Sequence, residues 1–144
     1  MAAAALWMAL TGCAHMVVLH DPLNADEHNN LGVAYESSGK LDLAVKEYRK
    51  SVRLDAHQGH VWVNLGNVEA AQGRWRDAEK SYRRALREDP ADSDAMNNLA
   101  VALLRQQRNR DEALTLAERA LAAGGPRDSV YRATLDEVKR NGRE

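Results

Sequence analysis

The stretch WVNLGNVEAAQGRWRDAEKSYRRALREDP, residues 62–90, decides the fold because its landmarks recur thirty-four residues away. Those landmarks are Trp62, Leu65, Gly66, Gly73, Ala78, Tyr82, Ala85 and Pro90. Thirty-four residues earlier the same places hold His28, Leu31, Gly32, Gly39, Ala44, Tyr48, Ser51 and Ala56. Thirty-four residues later they hold Met96, Leu99 and Ala100, and after one extra residue in the turn the series resumes at Ala113, Ala117 and Ala120. Repetition at a fixed period outranks any local motif, since each unit buries its apolar face only by stacking on the next.

Within each unit the spacing is that of two antiparallel helices. Trp62, Leu65 and Gly66 fall on one face of the first helix and point at its partner. Gly66, Ala78 and Ala85 lack bulk where the two helices approach. Gly39 and Gly73 end the first helix, because glycine takes the left-handed conformation at no steric cost. Pro90 bars continuation of the second helix. The pattern predicts helices near 25–38, 41–54, 59–72, 75–88, 93–106 and 111–122, the first capped by Asn24 with Glu27 in the reciprocal position. Gly124, Gly125 and Pro126 close the array, and a last helix near 127–141 offers Val130, Tyr131, Leu135 and Val138 as an apolar stripe. A stack of repeats needs such a lid. Ala117 stands where the earlier repeats have Tyr48 and Tyr82, leaving room for Tyr131 to fill.

These landmarks resemble the tetratricopeptide repeat. Asn30, Asn64 and Asn98 also stand at the family's usual asparagine place, and Asp55 and Asp89 before its proline place. The resemblance implies an all-α protein: a right-handed superhelix of three helix-turn-helix repeats, 25–58, 59–92 and 93–126, with residues 127–144 as a capping helix. It also implies that function lies in the groove lined by the first helix of each repeat. Transferred by position, the groove takes Asp26, Asn29, Val33, Glu36 and Ser37 from the first repeat. The second contributes His60, Val63, Asn67, Ala70 and Ala71, and the third Asp94, Asn97, Val101, Leu104 and Arg105. The valines also suit packing between helices. Such a surface fits a protein or peptide ligand better than a small molecule. Family members that clamp a C-terminal carboxylate use lysine, asparagine and arginine at the places held here by Asn29, Val33, Asn64, Asn97 and Val101. Only Asn64 matches, so that clamp is absent.

Composition agrees with a folded helical domain. Of 144 residues, 44% are hydrophobic and 28% charged, and the formal net charge of −1 gives no global pull towards nucleic acid or an acidic membrane. The arginine-rich run from Arg74 to Arg87 is interleaved with Asp77 and Glu79, which reads as a salt-bridged outer face rather than a nucleic-acid track.

The N-terminus is different in kind. Residues 2–10 form an apolar run too short to cross a bilayer, and it leads into Leu10, Thr11, Gly12 and Cys13. That tetrad resembles a bacterial lipobox, which implies a signal peptide over residues 1–12, a lipidated Cys13 and a short tether to residue 24. Ala14 in second place of the mature chain then favours the outer membrane, facing the periplasm. Met16, Val17, Val18 and Leu19 suit contact with the first repeat or with the bilayer. Cys13 is the only cysteine, so no internal disulfide forms. Against this reading, no lysine or arginine precedes the apolar run. An apolar N-terminal helix with an ordinary cysteine, or an uncleaved span over residues 2–19, remain alternatives.

Nothing in the sequence assembles a catalytic centre. Ser37 to Lys40 resembles the end of a phosphate loop, but Ala34 and Leu41 stand where glycine and a magnesium-binding hydroxyl belong. His57 and His60 lack further ligands at metal spacing. The expectation is a non-enzymatic, lipid-anchored adaptor of the bacterial envelope, without cofactor or metal, that presents a concave groove to a partner protein. A cytosolic interaction module, or an accessory subunit of an envelope peptidase or transferase, are the alternatives.

Overall fold

The computed structural model describes residues 21–141. The signal-peptide and lipidation readings at residues 1–20, Cys13 included, lie outside the described residues. Seven helices follow in order: α1 (Ala25–Ser37), α2 (Leu41–Leu54), α3 (Gly59–Ala71), α4 (Trp75–Glu88), α5 (Ser93–Arg105), α6 (Arg110–Ala123) and α7 (Asp128–Arg140). No strand occurs among the described residues.

Local chemistry sets the helix ends. Asn24 and Glu27 make the reciprocal cap: the Glu27 amide donates to Asn24 Oδ1 at 3.0 Å, and the Asn24 amide donates to Glu27 Oε2 at 2.8 Å. Asp92 caps α5 by accepting the Ala95 amide at 2.9 Å. Gly39 and Gly73 stop α1 and α3 with φ of +70° and +72°. In the third repeat the equivalent place is Gln107, which holds a φ of +53°. A side chain there costs roughly 1–2 kcal/mol relative to an unstrained backbone.

Each odd helix packs on the even helix after it, and each even helix on the next odd one. The backbones of successive odd helices α1, α3, α5 and α7 also approach one another, whereas those of α2, α4 and α6 stand further apart. Closer packing on one side bends the stack, so the odd helices line the concave face of a right-handed superhelix and the even helices splay on the convex face. Two apolar clusters fill it. One joins Ala44, Tyr48 and Val52 of α2 to Val61, Leu65 and Val68 of α3. The other runs from Ala78 and Tyr82 through α5 and α6 to Tyr131, Leu135 and Val138 of α7.

Helix α7 takes the place of the first helix of a fourth repeat. Arg127 binds Asp94 near the start of α5, and Glu137 faces Arg105 near its end, so α7 runs parallel to α5. Its buried stripe is Tyr131, Thr134, Leu135 and Val138. Val130, expected in that stripe, is 51% exposed. The helix rotates so that Tyr131 enters the core and Val130 turns outward.

Candidate functional site on the concave face

Small residues at the helix contacts let side chains cross from the convex layer to the concave one. A Cβ on Gly32 would stand 2.6 Å from the Tyr48 ring, and one on Gly66 would stand 2.5 Å from the Tyr82 ring. Each ring lies flat over its glycine, so its hydroxyl emerges on the concave side. There Tyr48 donates to Glu36 Oε2 at 2.6 Å and Tyr82 donates to Asn67 Oδ1 at 2.9 Å. Burial pushes both phenols above their ordinary pKa, reinforced by Glu36 at Tyr48 and by Glu69 near Tyr82. They therefore stay neutral donors at physiological pH.

Asparagine amides tie neighbouring odd helices together along the floor. Asn64 of α3 donates to Asn29 of α1 at 3.2 Å, and Asn98 of α5 donates to Asn67 of α3 at 2.9 Å. Between α3 and α5 the floor opens into a slot of about 270 Å³, lined by Asn67, Ala70, Ala71, Trp75, Tyr82, Asn98 and Val101. Ala70 and Ala71 stand where the first repeat has Glu36 and Ser37, and their small size makes the slot.

The structure thus brings Asn67, Ala70, Ala71 and Val101 together, with Asn29 one helix away. Val33 is 43% exposed, His60 is exposed and Val63 is half-buried. Asp26 accepts from Gln58, and the Ser37 hydroxyl donates to the Val33 carbonyl. Other candidates go elsewhere. Asn97 is only 4% exposed, with α7 packed beside α5. Leu104 faces a separate concavity of about 380 Å³ with Gln107, Arg108, Arg110 and Asn141. Arg105 is held 3.5 Å from Glu137. Asp94 accepts both Arg127 and the Tyr131 hydroxyl, and burial followed by that bond pushes the Tyr131 pKa up to about 12.

On the convex face, Arg83 makes a two-pronged contact with Glu112 and also binds Glu79, and Lys80 pairs with Asp77. His57 lies 2.9 Å from Glu88, which raises its pKa, rather than beside His60. No group of three metal-type ligands occurs among the described residues.

Two family models, each described as Tetratricopeptide repeat, match residues 28–58 and 63–129, together well over half of the chain. The chain is a tetratricopeptide-repeat protein. Solved tetratricopeptide-repeat structures share its fold. The first such domain of Spaghetti (RPAP3), bound to the HSP90 peptide SRMEEVD, has a TM-score of 0.79 at 20% identity, covering 88% of this chain and 99% of that one. The TPR2B domain of yeast Sti1, in complex with an Hsp70 peptide, has a TM-score of 0.76 at 17% identity, covering 81% and 97%. A type III secretion complex from Aeromonas hydrophila contains a chain with a TM-score of 0.75 at 22% identity, covering 82% of each. At these identities the likeness is one of fold. No curated protein sequence matches the chain.

Position within the tetratricopeptide repeat missed three lining residues. Trp75 and Tyr82 come from α4, a second helix, and Asn98 was read as a family landmark rather than as part of the groove. The Gly66–Tyr82 pairing was the available signal, since a ring over a glycine must carry its hydroxyl through to the far side.

Proposed function

We propose that this protein is a non-catalytic adaptor held at a bacterial envelope membrane by lipid on Cys13, whose concave face binds a segment of a partner protein. The observation that carries the binding half is the slot between α3 and α5 with its floor of asparagine amides. Rigid stacked helices already hold these groups in place, so a partner meets little ordering cost on the adaptor side. Outer-membrane attachment facing the periplasm rests on Leu10, Thr11, Gly12, Cys13 and Ala14. Several acyl chains at about 0.8 kcal/mol per buried CH2 hold a protein on a bilayer permanently. Among the described residues no helix is long and apolar enough to cross a membrane.

Fatty-acid labelling in the native host, comparing the wild type with Cys13→Ser, tests the anchor. Label that depends on Cys13 supports it, and equal labelling or none removes it. A photo-cross-linking residue at Ala71, compared with one at Arg87 on the convex helix α4, tests the groove. Partner capture from Ala71 supports the reading, and capture from Arg87 alone overturns it.

A further inference from the structure

The concave face differs sharply in charge from one end to the other. In the first repeat, Asp26 and Glu36 have no cationic partner among the described residues. The arginines at the other end, Arg105 and Arg127, are engaged by Glu137 and Asp94. Glu36 uses only Oε2 towards Tyr48, leaving its other oxygen open. The first repeat therefore offers uncompensated negative charge on α1, beside α3.

The floor offers unfilled hydrogen-bonding capacity as well. Among the described residues, Asn29 and Asn67 each accept through Oδ1 and leave their Nδ2 groups undonated, and Asn64 donates through Nδ2 and leaves Oδ1 open. Two donors and one acceptor in a row match an extended backbone, whose N–H and C=O groups alternate and are free. A helical ligand has already used those groups internally. The slot at the end of this row is below the roughly 300–1,000 Å³ of small-molecule sites. Its walls are Ala70, Ala71, Val101 and the Trp75 ring, so it suits one bulky apolar side chain.

From this we infer that the groove takes an extended internal segment of a partner, carrying one leucine-, methionine- or phenylalanine-sized side chain for the slot and a lysine or arginine for Glu36. The inference rests on the groove reading above and names its ligand class. It is opposite in charge to the SRMEEVD peptide held by the similar Spaghetti domain.

The test is selection from random heptamers displayed within a loop of a phage coat protein, so that no free C-terminus is offered, against the full chain. The expected consensus combines a basic residue with a large apolar one. The consensus peptide, acetylated and amidated, is then titrated by fluorescence polarisation. Ala71→Leu, which fills the slot, weakens binding about tenfold. Glu36→Gln keeps the acceptor for Tyr48 but weakens binding about two- to fivefold and flattens its salt dependence. Unchanged circular dichroism shows that both variants fold. An acidic consensus, a requirement for a free carboxylate, no enrichment, or indifference to both substitutions overturns the inference. Capture from Ala71 alongside an acidic consensus sinks the ligand class and leaves the groove, whereas capture from Arg87 alone sinks both.

Discussion

The first two repeats and the third solve one packing problem in opposite ways. In the first two, Tyr48 and Tyr82 lie against Gly32 and Gly66, with no space for a Cβ. In the third, Ala100 faces the same position with Ala117, and both are fully buried. The first two also bury polar pairs at their helix contacts: His28 Nδ1 sits 2.7 Å from Glu47, and Ser81 donates to Glu69 at 2.7 Å. At the places equivalent to Glu69 and Ser81, the third repeat has Leu103 and Leu116. The lesson is that the two sides of a contact change together: Tyr82 with Gly66 and Ser81 with Glu69 in the second repeat, Ala117 with Ala100 and Leu116 with Leu103 in the third. The third repeat is sealed by α7, and its contact between α5 and α6 is apolar at Leu103 and Leu116. The first two carry polar and aromatic groups through to the concave face, where the candidate groove lies.

Removing a ring should break this contrast most. Tyr82→Ala takes away the side chain that fills the gap over Gly66 and supports Asn67, and should cost about 3–5 kcal/mol in urea unfolding. Gly66→Ala drives a Cβ into the buried Tyr82 ring and should cost about 1–3 kcal/mol despite the better helix propensity of alanine. Ala100→Gly, its mirror image in the third repeat, should cost only about 0.5–1 kcal/mol. Equal losses at the two sites would show that the ring contact is not tight.

The polar pair gives a sharper comparison. Glu69→Leu strands the buried Ser81 hydroxyl and the Arg49 contact, and should cost about 1–3 kcal/mol. Adding Ser81→Leu, which copies the third repeat, should recover most of that loss. A double variant as unstable as the single one would mean that the second repeat cannot accept the apolar solution.

The smallest effect lies at the boundary between the two kinds of repeat. Arg83 holds the Glu112 pKa below the usual glutamate range. A depressed carboxylate pKa adds stability above the ordinary value and loses it as pH falls through the lowered one. Both side chains are partly exposed, so the contribution after screening should be less than about 1 kcal/mol. Glu112→Gln should therefore be less stable than wild type at pH 7, with the difference closing on acidification below the carboxylate range. A difference that persisted at low pH would assign it to packing.

Much of the fold was legible because its signals are local and repeated. Gly39 and Gly73 marked helix ends, Asn24 and Glu27 marked a beginning, and the thirty-four-residue period carried the stacking. Less of the groove was legible. Position within the repeat located Asn67, Ala70, Ala71 and Val101, but it could not show that α7 lies beside Asn97 or that Leu104 opens onto another concavity. Val130 was misplaced for a similar reason: a helical stripe read from spacing leaves its rotation uncertain by one residue.

The sequence by itself determined the helices, their pairing and the repeat architecture, because helix stops, caps and apolar spacing act within one repeat or between adjacent ones. The tertiary structure alone decided which polar groups remain available on the concave face. Arg105 and Asp94 look free in the sequence, yet Glu137, Arg127 and Tyr131 reach them from more than thirty residues away. The slot likewise exists only once Trp75 and Tyr82 of α4 stand behind Ala70 and Val101. Availability is a property of what the remaining chain leaves uncovered, and that depends on how all seven helices stack.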